Sequence, residues 1–468
     1  MSDKTEAELL KEQLFIKREH GSKCVDEPTL TKVDEFADSY KKFLDTAKTE
    51  REFVIHAIEQ ASSLGFTEYD SSKQYNAGDK VYINNRRKAV ILAVIGKAPA
   101  EAGVRIAAAH IDSPRLDLKP NPLYEADEMA FLKTHYYGGI KKYQWMSIPL
   151  ALHGVIFRKD GVSISINIGE DEGDPQFCIP DLLPHLATEQ MKKPVSSAFT
   201  GEGLNVLIGS REFKSEKGAE LVKLNVLKLL YDKYGIIEED FLSAELELVP
   251  AGKAVDIGLD HSMIGAYGHD DRVCAYPALQ AIAELAEAPE YTCISVLADK
   301  EEVGSMGNTG LQSAYLRDFI YDLAEAQGGS GSKALAKSAC LSADVNAAYD
   351  PNFADVFEKR NAAYINHGIC VTKYTGSRGK GGTSDASAEF MFRIRTLFDE
   401  DDILWQTGEL GKVDAGGGGT VAQYVANLNV DVVDIGVPVL SMHAPFEIVS
   451  KIDLYMTYQG ISSFFRAR

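Results

Sequence analysis

The stretch "TCISVLADKEEVGS" (residues 292–305) joins a strand pattern to an adjacent acidic pair. Its first seven residues form a mainly apolar run, which predicts a short strand buried within a sheet. The chain then passes directly into Glu301 and Glu302 and a glycine-containing turn. Such a pair is either an ordinary solvated loop or a site where one carboxylate binds a metal ion and its neighbour transfers protons. The rest of the sequence has to decide between these two interpretations.

Helix and strand patterns alternate around this stretch. The first 65 residues have helical periodicity, and the segments "KAVILAVIG" (88–96) and "VRIAAAH" (104–110) have strand length. After residue 256, helical and strand patterns follow each other up to the C-terminal end. This alternation is typical of an α/β domain with a mostly parallel central sheet.

The middle of the chain has a different pattern. Segments such as "VSISINIG" (162–169) alternate strictly between apolar and polar residues, which indicates an antiparallel sheet with one exposed face. We therefore predict one α/β domain built from residues 1–113 and 255–468, interrupted by a β-rich insertion at 114–254.

The composition of the chain argues against several classes of protein. The chain has 468 residues, of which 45% are hydrophobic and 25% charged, and a formal net charge of −20, which argues against nucleic-acid binding. It has no apolar run of about 18 residues and no signal-peptide pattern, so we expect no membrane association. Its six cysteines are scattered without a CxxC pair, which favours a reducing, cytoplasmic location.

Histidine and carboxylate residues follow five of the strand-like segments. In open α/β sheets, functional groups gather at the carboxyl ends of strands, and these residue types suit zinc, cobalt or manganese. A pair of such ions needs a shared carboxylate, and a further carboxylate must accept a proton from water. The pattern therefore indicates one or two divalent cations. The candidates are His110 with Asp112, Asp270, Glu301 with Glu302, Asp344, and His443.

Each candidate taken alone also has an ordinary structural explanation. A single histidine is more often packed in a core than bound to a metal ion, although Asp112 could orient the ring of His110. Asp271 beside Arg272 fits the first turn of a helix, so we expect only the preceding Asp270 to be a ligand. Asp344 could simply form a turn. Their occurrence at five strand ends favours the metal site.

The motifs that carry these residues resemble a known family. They are "AAHIDSPRLDLKPNPLYE" (108–125), "YYGG" (136–139), "GHDDR" (268–272), "DKEEVGS" (299–305), "SADVNAAYDPNF" (342–353) and "DIGVPVLSMHAPFE" (434–447). In this order they are similar to the aspartyl aminopeptidase family of dinuclear zinc peptidases, which includes yeast vacuolar aminopeptidase I. The resemblance runs from about residue 44 to the C-terminal end.

The resemblance implies a ligand set for two metal ions. By position, His110, Asp270 and Asp344 would hold one ion. Asp270, Glu302 and His443 would hold the other, with Asp270 bridging the two.

The resemblance also implies the remaining roles and the assembly. Glu301 would be the general base, and Asp112 would support His110. The fold would be a zinc-peptidase α/β domain with an inserted β-rich dimerisation domain, and dimers would assemble into a dodecamer. The expected function is therefore a metalloaminopeptidase acting on peptides with a free N-terminus. The alternatives are a related di-metal deacylase or carboxypeptidase, or a non-catalytic assembly protein that would lack ligands.

The substrate-facing segments depart from the family. Tyr143, within "GGIKKYQWMSIPL" (138–150), stands where the family has a histidine that reaches a neighbouring subunit. Lys373 lies near the position of a family substrate-pocket lysine, and Gly418 belongs to a glycine run that could let a peptide backbone approach.

The preference for the first residue of the peptide remains open at this stage. Lys373, Arg378 or Lys380 could pair with an acidic first residue. If these residues instead form a solvated basic loop, the pocket would accept neutral apolar residues.

Overall fold

The computed structural model describes residues 4–16, 19–215 and 217–468. Residues 1–3 and 17–18, within the segment predicted to be helical, and residue 216, within the predicted insertion, lie outside this description. The helices are α1 (Glu6–Leu14), α2 (Gly21–Cys24), α3 (Glu27–Thr46), α4 (Glu50–Ser63), α5 (Thr188–Met191), α6 (Val195–Ala198), α7 (Leu221–Tyr234), α8 (His269–Ala283), α9 (Tyr315–Ala326), α10 (Gly331–Ala336), α11 (Ala388–Glu400), α12 (Ala422–Ala426) and α13 (Lys451–Arg466).

The strands span most of the chain between α4 and α13. They are β1 (Thr67–Glu68), β2 (Lys80–Asn85), β3 (Ala89–Val94), β4 (Arg105–His110), β5 (Arg115–Ala126), β6 (Met129–Tyr137), β7 (Leu150–Phe157), β8 (Ser163–Ile168), β9 (Val206–Gly209), β10 (Ala244–Pro250), β11 (Val255–Ile257), β12 (Met263–Ala266), β13 (Cys293–Ala298), β14 (Ala339–Ala343), β15 (Asn346–Ala347), β16 (Ile369–Thr372), β17 (Gly376–Ser377), β18 (Trp405–Thr407), β19 (Gly417–Gly418), β20 (Asp431–Gly436), β21 (Pro438–Leu440) and β22 (Glu447–Ser450).

A nine-stranded sheet forms the centre of the molecule. Its order is β1-β2-β3-β13-β4-β14-β20-β16-β18. Five of its eight pairings are parallel, namely β1–β2, β13–β4, β4–β14, β14–β20 and β16–β18. The α/β prediction with a mostly parallel central sheet is therefore confirmed.

Helices cover both faces of this sheet because its strands are apolar on both sides. In β3, Val90 and Leu92 pack into the cluster that contains α3, α4, α8, α11 and α13. The intervening Ile91 and Ala93 pack into the opposite cluster, which contains α9, α10 and α12. Successive side chains of a strand point to opposite faces, so a continuous apolar run is what a doubly covered sheet requires.

A second sheet is built from the middle of the chain. Its order is β8-β7-β10-β5-β6-β9, and all of its pairings are antiparallel. One core cluster joins this sheet to α7 and to the fully buried Trp145. The alternating pattern read from the sequence thus corresponds to an antiparallel sheet with one packed face.

A smaller five-stranded sheet has the order β11-β12-β22-β21-β15. It differs from the sequence-based expectation in one respect. The segments preceding Asp270 and His443 are β12 and β21, and both belong to this small sheet and not to the central one. No described helix is long and apolar enough to cross a membrane.

Candidate metal centre

Three neighbouring strands of the central sheet deliver the first group of site residues. The strands β13, β4 and β14 lie side by side and parallel, with Ala298 paired to His110 in register. Their carboxyl ends therefore meet at one edge of the sheet, and the residues at or just after these ends lie close together. Those residues are His110, Glu301, Glu302 and Asp344.

The small sheet delivers the other two residues. Asp270 lies in the first turn of α8, and His443 follows β21. Glu447, at the start of β22, accepts hydrogen bonds from both backbone amides, at 3.1 Å from the nitrogen of Asp270 and 2.6 Å from that of His443. One buried carboxylate thus fixes both segments. The sequence analysis quoted Glu447 in a motif but did not predict this role.

The carboxylate of Asp270 lies between two histidine rings. Its Oδ1 atom is 3.1 Å from Nε2 of His110, and its Oδ2 atom is 3.1 Å from Nε2 of His443. The two oxygens of one carboxylate therefore face two different imidazoles. This is the geometry in which a single aspartate can contact two neighbouring ions.

The two remaining carboxylates lie on either side of this arrangement. Oδ1 of Asp344 is 3.8 Å from Nε2 of His110, and Oε1 of Glu302 is 3.5 Å from Nε2 of His443. The potential ligand atoms of His110, Asp270 and Glu302 all lie within 4.8 Å of one another. The structure thus brings the five predicted ligands together.

Asp271 lies closer to the centre than the sequence indicated. It stands in the first turn of α8, as its helix-terminal explanation requires, but it is fully buried. Its Oδ2 atom accepts a hydrogen bond of 3.4 Å from the backbone amide of His110. Together with His110 and Asp344 it forms a second group whose ligand atoms lie within 4.8 Å of one another.

Asp112 connects His110 to the acidic pair. Nδ1 of His110 lies 3.0 Å from the backbone oxygen of Asp112 and 3.3 Å from its Oδ1 atom. The same carboxylate accepts hydrogen bonds from the backbone amides of Glu301, at 3.1 Å, and Glu302, at 3.2 Å. It also accepts a 2.8 Å hydrogen bond from the hydroxyl of Tyr137, a contact that the sequence analysis missed.

Burial and neighbouring groups shift the pKa values of the residues in the centre. Burial raises the pKa of Glu301 to about 7 and the pKa of Glu302 and Asp344 well above the usual range. Burial acts in the same direction on Asp270, but hydrogen bonds from His110 and His443 outweigh it and lower the pKa of Asp270. For His443, burial is outweighed by Asp270 and Glu302, which raise its pKa to about 10.

The carboxylates of the centre, among them Asp112, Asp270, Glu302 and Asp344, outnumber its two histidines. In addition, Oε1 of Glu302 and Oδ1 of Asp271 are buried without a hydrogen-bond partner among the described residues. Buried carboxylate oxygens require a cation, a proton or a donor. Imidazole and carboxylate are both good zinc ligands, so the residues present fit a zinc site.

The residues predicted to bind substrate make contacts with groups other than the metal ligands. Lys373 and Lys380 both form ion pairs with Asp385, at 2.7 and 2.9 Å. Gly418 is part of β19, which pairs with β17 in a two-stranded sheet. The ring of Tyr143 is 6.4 Å from that of Phe199. Among the described residues, no hydrogen bond or ion pair joins Lys373, Tyr143 or Gly418 to the five ligands.

Known proteins share this sequence and architecture. A family model described as "Aminopeptidase I zinc metalloprotease (M18)" matches residues 43–465. A probable M18 family aminopeptidase 1 from Clostridium acetobutylicum is 50% identical over 447 residues, which cover 94% of this chain and 96% of that protein.

Solved structures show the same relationship. The crystal structure of aminopeptidase I from Clostridium acetobutylicum superimposes with a TM-score of 0.92 at 46% identity, covering 97% of this chain and 100% of that one. The mApe1 dodecamer of S. cerevisiae superimposes with a TM-score of 0.76 at 20% identity, covering 92% and 97% of the respective chains. The second likeness concerns the fold alone.

Proposed function

The chain belongs to the M18 family of zinc aminopeptidases, and we propose that it uses two metal ions and a glutamate base to remove the N-terminal residue of peptides. The observation that carries this proposal is the Asp270 carboxylate, whose two oxygens each lie 3.1 Å from a different histidine, His110 and His443.

We assign each ligand to one of the two ions according to the side of the Asp270 carboxylate on which it lies. His110 and Asp344 would hold one ion together with Asp270, and Glu302 and His443 would hold the other. Zinc is the expected metal, and this ligand set would also accept cobalt or manganese. Asp112 would act as a positioning residue that fixes the ring of His110, since metal-bound histidines usually need such a partner.

Glu301 is the proposed general base. Bound at these ligands, zinc supplies Lewis-acid chemistry that polarises the scissile carbonyl and lowers the pKa of water. Glu301 takes a proton from the water that attacks the carbonyl carbon, and it passes this proton to the amine nitrogen as the C–N bond breaks. Burial raises the pKa of Glu301 to about 7, which suits a group that exchanges a proton near neutral pH.

The free amino group of the substrate would bind near the acidic side chains of the centre. We further propose a preference for neutral, apolar first residues, because Asp385 already engages both Lys373 and Lys380. With their charges paired, these lysines offer little to an acidic side chain. Gly418 would leave room for the peptide backbone, and Tyr143 would face a neighbouring subunit.

Assembly is the last part of the proposal. We propose a homo-oligomer, with residues 114–254 as an inserted dimerisation domain between the two parts of the catalytic domain, 1–113 and 255–468. The architecture shared with the mApe1 dodecamer of S. cerevisiae supports assembly of dimers into a dodecamer.

Blocked peptides test the function directly. The purified, zinc-loaded protein should hydrolyse leucyl peptides with a free amino end, including those whose C-terminus is amidated. Acetylation of the N-terminus should abolish cleavage. Cleavage of the acetylated peptides together with loss of activity on amidated ones would contradict the proposal and indicate a carboxypeptidase.

A further inference from the structure

We propose that Tyr137, Gly138 and Gly139, at the end of β6, form a positioning segment that holds residues on both sides of the metal centre. This inference rests on the two-metal site proposed above. The segment starts at the last residue of β6 in the six-stranded sheet and continues beyond it, whereas His110 ends β4 and Glu302 and Asp344 follow β13 and β14 of the central sheet. Each of its three residues contacts a different part of the centre.

Tyr137 acts on the side of His110. Its hydroxyl donates a 2.8 Å hydrogen bond to Oδ2 of Asp112. The same carboxylate contacts Nδ1 of His110 and accepts the backbone amides of Glu301 and Glu302. Without the hydroxyl, Asp112 would lose one of the contacts that fix its orientation. The ring of His110 would then be held less firmly.

Arg115 holds the ring of Tyr137 in place. The two residues face each other across β5 and β6, and the guanidinium carbon lies 4.1 Å from the ring centroid. Arg115 is in turn paired with Glu50 at 3.1 Å and with Glu247 at 3.2 Å. Since all three charged residues are buried, the guanidinium has a fixed position. The phenol therefore lies on a rigid support.

Gly138 packs directly against Glu302. It has a φ of +76°, and a Cβ atom at this position would lie 3.1 Å from Oε2 and 3.3 Å from Cβ of Glu302. Both the backbone conformation and the space require glycine here. The glycine backbone thus forms one wall of the space that the Glu302 carboxylate occupies.

Gly139 acts on the side of His443. Nδ1 of His443 donates a 2.7 Å hydrogen bond to the carbonyl oxygen of Gly139. This bond leaves Nε2 free to face Asp270 and Glu302, and it selects the tautomer in which Nε2 can bind a metal ion. A Cβ atom on Gly139 would lie 3.3 Å from Nδ1 of His443 and would push against that contact.

Two pairs of variants test the positioning role. Tyr137→Phe removes the hydroxyl, and its control Tyr136→Phe changes the adjacent, exposed ring on the opposite face of β6. Gly139→Ala disturbs the contact with His443. Its control Gly252→Ala adds a methyl group where nothing lies within 4 Å.

Zinc affinity is the deciding measurement. Competition with a chromophoric chelator should show zinc binding weakened at least about tenfold in Tyr137→Phe and Gly139→Ala, the usual cost of losing a partner of a metal-bound residue. The two controls should bind zinc as the wild type does. The visible spectrum of the cobalt-loaded protein should change in Tyr137→Phe and Gly139→Ala but not in the controls. Thermal unfolding of the metal-free proteins identifies any variant that has lost its fold.

A third variant separates this inference from the proposed site. Asp270→Asn should lose zinc if the two-metal centre is correct, and full zinc binding by this variant would overturn the centre itself. If Asp270→Asn loses zinc while Tyr137→Phe and Gly139→Ala bind it with wild-type affinity, the positioning role is wrong. Should Tyr137→Phe fail to fold, wild-type zinc affinity in Gly139→Ala overturns the proposal, and weakened affinity supports it.

Discussion

Glu301 and Glu302 are neighbours in the chain, yet their carboxylates approach different histidines. Oε2 of Glu301 lies 4.0 Å from Nε2 of His110, whereas Oε1 of Glu302 lies 3.5 Å from Nε2 of His443. The backbone amides of both residues donate hydrogen bonds to the Asp112 carboxylate, which fixes the turn that contains them. This asymmetry gives the two glutamates different predicted roles.

Glu301→Gln should abolish turnover without removing metal. The amide cannot accept a proton from water, and general-base catalysis contributes on the order of 10²–10⁴-fold to rate. We expect kcat on a leucyl chromogenic substrate to fall by about that factor. Elemental analysis should find the wild-type zinc content. Wild-type turnover would show that Glu301 is not the base.

Glu302→Gln should instead lower the zinc content of the protein. This side chain is a proposed ligand on the His443 side, so its loss should release one of two bound zinc ions and abolish activity with it. The comparison with Glu301→Gln is the control, since both variants remove one charge from the same turn. Retention of both zinc ions in Glu302→Gln would refute the proposed division of roles.

Asp385→Asn should shift the substrate preference. It would release Lys373 and Lys380 from their shared partner and leave them free to pair with an acidic first residue. We expect the wild type to favour leucyl over aspartyl substrates. The ratio of aspartyl to leucyl kcat/KM should rise by about tenfold in the variant, the effect of one charge-assisted hydrogen bond.

The matched control for this experiment is Asp232→Asn, which breaks the exposed Lys228–Asp232 pair on α7. It should leave the ratio unchanged. A wild-type enzyme that already favours aspartyl substrates would contradict the proposed preference for apolar first residues.

The raised pKa of His153, a residue outside the candidate metal centre, predicts that the stability of the protein depends on pH. Burial opposes its protonation, but Glu170 and Glu52 outweigh burial and raise its pKa. Lys48 faces the same group and pairs with Glu170 at 2.7 Å. Because the pKa is raised in the folded state, the stabilisation is full below the ordinary value of about 6.5. It is lost as pH rises through the folded value.

His153→Gln should therefore lower the free energy of unfolding most at acidic pH. We expect a loss of about 1–3 kcal/mol near pH 6, from charged hydrogen bonds, and a smaller loss at pH values above the folded pKa. Denaturant titrations at several pH values measure this difference. The exposed His261→Gln variant is the control. A loss of stability that grows with pH would contradict the assigned protonation.

The sequence predicted the parts of the site that follow local patterns. Apolar runs identified β4, β13 and β14, and the residues at or just after their ends include His110, the acidic pair and Asp344. Strand length and residue chemistry suffice for this, because parallel strands bring their carboxyl ends to one edge.

Contacts between segments that are far apart in the chain could not be predicted in the same way. Glu447 reaches the amide of Asp270 because β22 pairs with β12, and Tyr137 reaches Asp112 from a different sheet. Such contacts depend on the tertiary arrangement, for which periodicity gives no signal. Asp271 was missed for another reason, since an aspartate in the first turn of a helix already has an ordinary explanation.

The most direct test of the two-metal centre is anomalous diffraction at the zinc edge from crystals of the zinc-loaded protein. We predict two peaks about 3.5–4 Å apart on either side of the Asp270 carboxylate. One should lie near His110 and Asp344, and the other near Glu302 and His443. A single peak, or two peaks that do not share Asp270, would contradict the two-metal mechanism.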